Sequence, residues 1–123
     1  MSSIRYEDLT INQGSDVAIE IHCENEDGSA KNLTNYSVNA LMKRNYRDSD
    51  GDPYTRTFNG VIATPPEDGI VSISLTNTQT DSLLTRGRYV FDVELSFQDS
   101  DNNSIIERIL EGQIEVSPSV SKP

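Results

Sequence analysis

From residue 89 to residue 97 every second side chain is apolar: Tyr89, Phe91, Val93, Leu95 and Phe97, with Val90, Asp92, Glu94 and Ser96 between them. Successive strand side chains point to opposite faces, so this period of two reads as a half-buried strand. At helical spacing the same residues would scatter around the cylinder. Two further runs share the period. Val17, Ile19, Ile21 and Cys23 alternate with Ala18, Glu20 and His22, and Val71, Ile73 and Leu75 alternate with Ser72 and Ser74. Weaker strand candidates cover residues 9–13, 36–43, 54–64 and 105–116. In the last of these Ile106, Leu110, Ile114 and Val116 share a face that Arg108 and Gly112 interrupt, and Gly112 marks a bulge or a close backbone approach. Turn-forming clusters at 12–15, 26–29, 48–53, 65–69 and 99–103 separate the runs. Seven short alternating strands with polar turns between them predict an all-β fold, an antiparallel β-sandwich.

One segment breaks the period. Thr76, Asn77 and Thr78 are N-cap candidates for a stretch that ends before Gly87. It predicts a helical turn or two near 77–84, crossing from one sheet to the other, with Leu83 or Leu84 plugging one end of the core. Tyr89 then stands where sandwich domains place a tyrosine corner, whose hydroxyl bonds upstream backbone. A core aromatic with its hydroxyl near the rim is the plain alternative. Residues 8–116 form the expected domain, and 1–7 and 117–123 are expected to be tails without a buried pattern, the second rich in Pro and Ser.

With 123 residues the chain has the length of one domain. At that size about two-thirds of the chain's surface is buried on folding, enough for a core without disulfides or a structural metal. Only 34% of residues are hydrophobic, a level that leans toward disorder, but their regular spacing favours a fold. No apolar run approaches the roughly 18 residues of a membrane helix. Residues 1–6 carry one basic residue and no apolar core, so no secretory signal is expected there. A single cysteine and a single histidine exclude a disulfide framework and Cys–His zinc patterns. Ten Lys and Arg against twenty Asp and Glu give a net charge of −10, which repels nucleic acid and anionic lipid.

Catalysis needs a nucleophile beside a base, or paired titratable groups. His22 falls on the solvent phase of its strand with no serine motif nearby, and Cys23 falls on the core phase, where a structural thiol is the default. Two loops place acidic residues at alternate positions: Asp48, Asp50 and Asp52, and Asp99 and Asp101. Such spacing lets carboxylates converge on Ca²⁺, so these five are weak metal candidates. The EF-hand pattern fails in both. Pro53 and Ser104 stand where it needs Gly, and Asn59 and Leu110 where it needs Glu. Arg44, Tyr46 and Arg47 mix aromatic and basic groups just before the first acid loop. The neighbouring acids cancel the field a nucleic-acid clamp would need, so the segment reads first as a hairpin end with local salt bridges; the same mixed patch also suits a protein contact. Pro118 and Val120 of the C-terminal tail are further contact candidates. No glycine-rich phosphate loop is present, and no cofactor is expected.

The order of these features resembles a group of small immunoglobulin-like proteins of tailed bacteriophages, related to the N-terminal domain of phage baseplate upper proteins. Leu9-Thr10-Ile11-Asn12-Gln13-Gly14 looks like the opening strand and turn. Residues 26–29 and 32–38 look like the next hairpin, and residues 69–80 and 87–95 carry the strongest likeness. The close, Arg108-Ile109-Leu110-Glu111-Gly112-Gln113-Ile114-Glu115-Val116-Ser117-Pro118, also fits, so the likeness spans roughly residues 8–118. The resemblance implies an immunoglobulin-like sandwich with no catalytic residues and a structural role in a virion. Ending at Pro123, the chain is expected to lack the region by which larger members reach a receptor-binding protein.

The expectation is a non-enzymatic assembly subunit of a tailed-phage virion, made in the host cytoplasm and placed at the neck, tail or baseplate. Its partners would be other virion proteins in a symmetric assembly, with no nucleic acid, membrane or small-molecule substrate. A head decoration protein is the near alternative. A Ca²⁺-assisted cell-surface or carbohydrate-binding module is a second, though the chain lacks tryptophan for sugar stacking. A small acidic inhibitor that mimics nucleic-acid charge is a third.

Overall fold

The alternating runs become strands because each buries one face. In the computed structural model, which describes residues 5–49 and 51–120, these strands build two sheets over a shared core. Among the described residues the first sheet holds β1 (Arg5–Tyr6), β2 (Leu9–Asn12), β4 (Ser37–Lys43), β5 (Arg56–Thr57), β8 (Arg88–Gln98) and β9 (Ser104–Ser117). Its order is β1–β9–β8–β4–β5, with β2 also paired to β9. The second sheet runs β3 (Val17–His22), β7 (Ile70–Leu75), β6 (Asn59–Ile62). Tyr89, Phe91, Val93 and Leu95 on β8 and Leu110, Ile114 and Val116 on β9 meet Val71, Ile73 and Leu75 on β7 in one buried cluster. Burial of this kind contributes roughly 1.5–3 kcal/mol per large apolar side chain.

The crossover is a helical turn, α1 (Asn77–Asp81), leading from β7 in the second sheet to β8 in the first. Thr76 caps it. Its Oγ1 accepts from the Gln79 amide at 3.2 Å, while its own amide donates to Gln79 Oε1 at 2.9 Å. Leu83 is the plug, 2% exposed, while Leu84 is only partly buried. Its neighbour's amide, Leu84 N–H, donates to the hydroxyl of the fully buried Tyr89 at 2.9 Å, which makes the tyrosine corner. Cys23 is buried and its thiol is pushed up by burial, although Lys31 and Arg5 pull the other way. His22 is exposed and pairs with Glu20 at 2.6 Å.

Three local expectations need correction. The stretch 54–64 is not one strand. It breaks at Phe58, which is 3% exposed, into β5 in the first sheet and β6 in the second. The break seats the ring in the core while the Phe58 amide donates to Ala40 O at 2.9 Å. Second, β1 and β2 run parallel to β9, not antiparallel, with Arg5 and Tyr6 opposite Leu110 and Glu111. Third, Ile106 does not share the face of Leu110. A register shift between Val93 and Glu94 skips Ile109, so Ile106 faces outward and is 61% exposed. The irregularity therefore sits at Ile109, and Gly112 is the site of close approach: a Cβ there would lie 1.7 Å from the Glu7 carbonyl oxygen.

Candidate contact face

The outer face of the first sheet is set by the other half of the strand alternation. Where β8 sends Tyr89, Phe91 and Val93 inward, it sends Val90, Asp92 and Glu94 outward. Antiparallel pairing places Lys43 opposite Val90, Leu41 opposite Asp92 and Asn39 opposite Glu94 on β4. On β9 the bulge sets Arg108 opposite Glu94, while Glu111 stands opposite Asp92. These side chains line a groove of about 170 Å³, and Tyr46, from the turn after β4, closes one side. Leu41 and Val90 give it an apolar floor.

Charge in the groove is shared unequally. The Arg108 guanidinium lies 3.5 Å from Asp92, 3.7 Å from Glu94 and 3.3 Å from Glu111, so one cation serves three carboxylates. Burial pushes the Asp92 carboxyl above its ordinary range. Arg108 and Lys43 pull it back, and Glu111 adds to the rise. Tyr46 is 77% exposed and Tyr6, on the neighbouring β1, is 60% exposed. The Tyr6 phenol is raised by lost hydration first, then by Asp8, and further by the nearby Tyr46 and Glu111. Two exposed aromatic rings thus stand near an apolar floor with an acidic wall.

The residues singled out from sequence are placed unevenly. Tyr46 lines the groove, but Arg44, Arg47, Pro118 and Val120 do not. Arg44 lies over the Tyr89 ring at 5.1 Å, and its Nη1 is buried, so it braces the tyrosine corner instead of offering a free contact. Arg47 and Pro118 are exposed, and Val120 is fully so. The start of the tail is held by Gln13. Its amide donates to Ser117 O at 2.9 Å and its Oε1 accepts from the Ser119 amide at 3.3 Å. Its Nε2 donates to Leu83 O at 3.1 Å.

Three of the candidate loop carboxylates, those of Asp48, Asp52 and Asp99, accept from amides of their own turns. Asp48 accepts from the Asn45 amide at 3.0 Å and Asp52 from the Tyr54 amide at 2.9 Å. Asp99 Oδ1 accepts from the amides of Asp101 and Asn103, both at 2.9 Å. Asp50 lies outside the described residues. Among the described residues no three His, Cys, Asp or Glu side chains converge on a point that would hold a metal ion. Sequence reasoning missed Leu41, Val90, Asp92, Glu94, Arg108 and Glu111 as a group. The available signal was Leu41 and Val90, apolar residues on the solvent phase of two strands.

Comparison with known proteins reaches the fold. No protein-family profile matches the chain, and no curated protein matches it. Among solved structures, murine CRIg superposes with a TM-score of 0.51 at 18% identity, covering 90% of this chain and 92% of that one. AggA, the major subunit of aggregative adherence fimbriae type I from Escherichia coli, superposes with a TM-score of 0.41 at 9% identity, covering 89% of each chain. With two facing sheets, a helical crossover and a tyrosine corner, the chain is an immunoglobulin-like β-sandwich.

Proposed function

We propose that the chain is a non-enzymatic assembly subunit that works through protein–protein contact, in the setting of a tailed-phage virion at the neck, tail or baseplate. The observation that carries the contact role is the groove of the first sheet. An apolar floor beside exposed tyrosines and an arginine has the composition of a contact site, since Tyr and Arg are favoured anchors. The absence of enzymatic activity is part of the proposal and is supported by the placement of the usual catalytic groups. The one histidine is tied to Glu20 on an exposed strand, and the one cysteine is buried with a raised thiol. The virion setting rests on the sequence resemblance over residues 8–118.

The test is quantitative mass spectrometry on purified particles of the virus that encodes the chain, scaled to the major capsid protein. A few to a few tens of copies per particle supports the neck, tail or baseplate. Hundreds of copies would move the chain to the head surface. Absence from particles overturns the virion setting, and the contact role would then concern a host protein.

A further inference from the structure

Resting on the contact-face reading and deepening it, the geometry points to a basic protein segment as the occupant of the groove. An extended stretch of a partner polypeptide would lay an arginine or lysine side chain between the Tyr46 ring and the carboxylates of Asp92 and Glu111.

Shape argues for a polypeptide. Asn39, Leu41 and Lys43 line the groove from alternate positions of β4, and Val90, Asp92 and Glu94 from alternate positions of β8. Four residue steps of strand span about 13 Å, the reach of four or five extended residues. Charge argues for a cation. Three carboxylates and two basic side chains line the groove, and Arg108 is divided among all three acids. A further cation entering beside Asp92 would meet a carboxylate that is partly desolvated and shares Arg108 with Glu94 and Glu111. The exposed face of Tyr46 supplies a ring for cation–π contact. Charge also disfavours a second copy of the chain, because each carries −10.

The test titrates the isotope-labelled full chain with three capped pentapeptides that alternate glycine with arginine, glutamine or glutamate. The amide resonances of Leu41, Tyr46, Val90, Asp92 and Glu111 are followed. The arginine peptide is expected to move these signals and leave Ser72 and Ser74 of the second sheet in place. It should bind at least about tenfold more tightly than the glutamine peptide. The double variant Asp92→Asn/Glu111→Gln should lose at least about tenfold in affinity, while Glu20→Gln/Glu24→Gln, which removes the same charge elsewhere, should stay within about twofold. Equal binding of the glutamine peptide overturns the inference but leaves the groove as a contact face. Equal losses in both double variants overturn it in favour of diffuse attraction to an acidic protein. No movement of the groove signals with any peptide overturns it as well. A dimer in sedimentation that Tyr46→Ala abolishes would overturn it in favour of a second copy. Particle copy number tests the assembly role separately, so the two failures are distinguishable.

Discussion

A buried hydroxyl joins the crossover to the first sheet. Tyr89 is fully buried and accepts the Leu84 amide proton at 2.9 Å. Tyr89→Phe keeps the ring and removes the acceptor, leaving that N–H without its partner. The expected cost is about 1–3 kcal/mol, read as a lower urea midpoint with an unchanged slope; an unchanged midpoint would show that water replaces the hydroxyl. Asp92 works in the opposite sense. Its pKa in the folded chain is raised, so its ionised form is disfavoured by folding at neutral pH, and that cost is relieved as pH falls through the folded value. Asp92→Asn should therefore melt no lower than the parent at pH 7. Its advantage should shrink as pH falls through the carboxylate range, because the parent then becomes neutral too. A variant that melts well below the parent at pH 7 would mean that the Arg108 pairing outweighs burial. Alternation made much of the residue-scale core legible, Tyr89 included, whereas the plug was legible only as Leu83 or Leu84, because the segment that carries it has no strand period. Asp92 was visible only as a solvent-phase residue, because its burial comes from neighbours on β4 and β9 that no local pattern pairs with it.

Elements carry a second kind of information, the direction and partner of each strand, and here local sequence says less. Side-chain alternation is the same in parallel and antiparallel strands, so the parallel pairing of β1 and β2 with β9 was not legible. Nor was the switch at Phe58, because alternation reports which face a side chain takes and not which sheet its strand joins. The glycine at 112 was legible as a special position, and its geometry gives a prediction. The Glu7 amide donates to Glu111 O at 2.9 Å while the Glu7 carbonyl occupies the space a Gly112 side chain would need. Gly112→Ala should push the Glu7 segment off β9. Exchange of the Glu7 amide should then approach that of an open edge, while amides in the β8–β9 pairing stay protected. The loss in stability should be about 1–3 kcal/mol, the range for overpacking a tight site. Retained protection at Glu7 would mean that the backbone absorbs the methyl by a local shift.

At the scale of the whole molecule, the decisive quantity is twenty acidic against ten basic residues. Local ion pairs oppose that excess only weakly. Arg108 and its three partners are partly exposed, and such pairs contribute about 0–1 kcal/mol. Self-repulsion across the fold acts over longer distances and is relieved when the chain unfolds and its charges spread. Salt screens both terms. With ten more acidic than basic residues and only weak local pairing, added salt should remove more repulsion than attraction. Raising ionic strength from 0.01 to 0.15 M shortens the screening length from about 30 Å to about 8 Å, less than the width of a sheet of several strands. The melting temperature should therefore rise with NaCl over this range at pH 7. Near the isoelectric point of about 4.3 the repulsive excess is gone, so the rise should vanish or reverse as only the pair term remains. A melting temperature that falls with NaCl at pH 7 would show that favourable pairings dominate the surface. The acidic excess would then be arranged around its cations and would offer little field to steer a basic partner toward the groove.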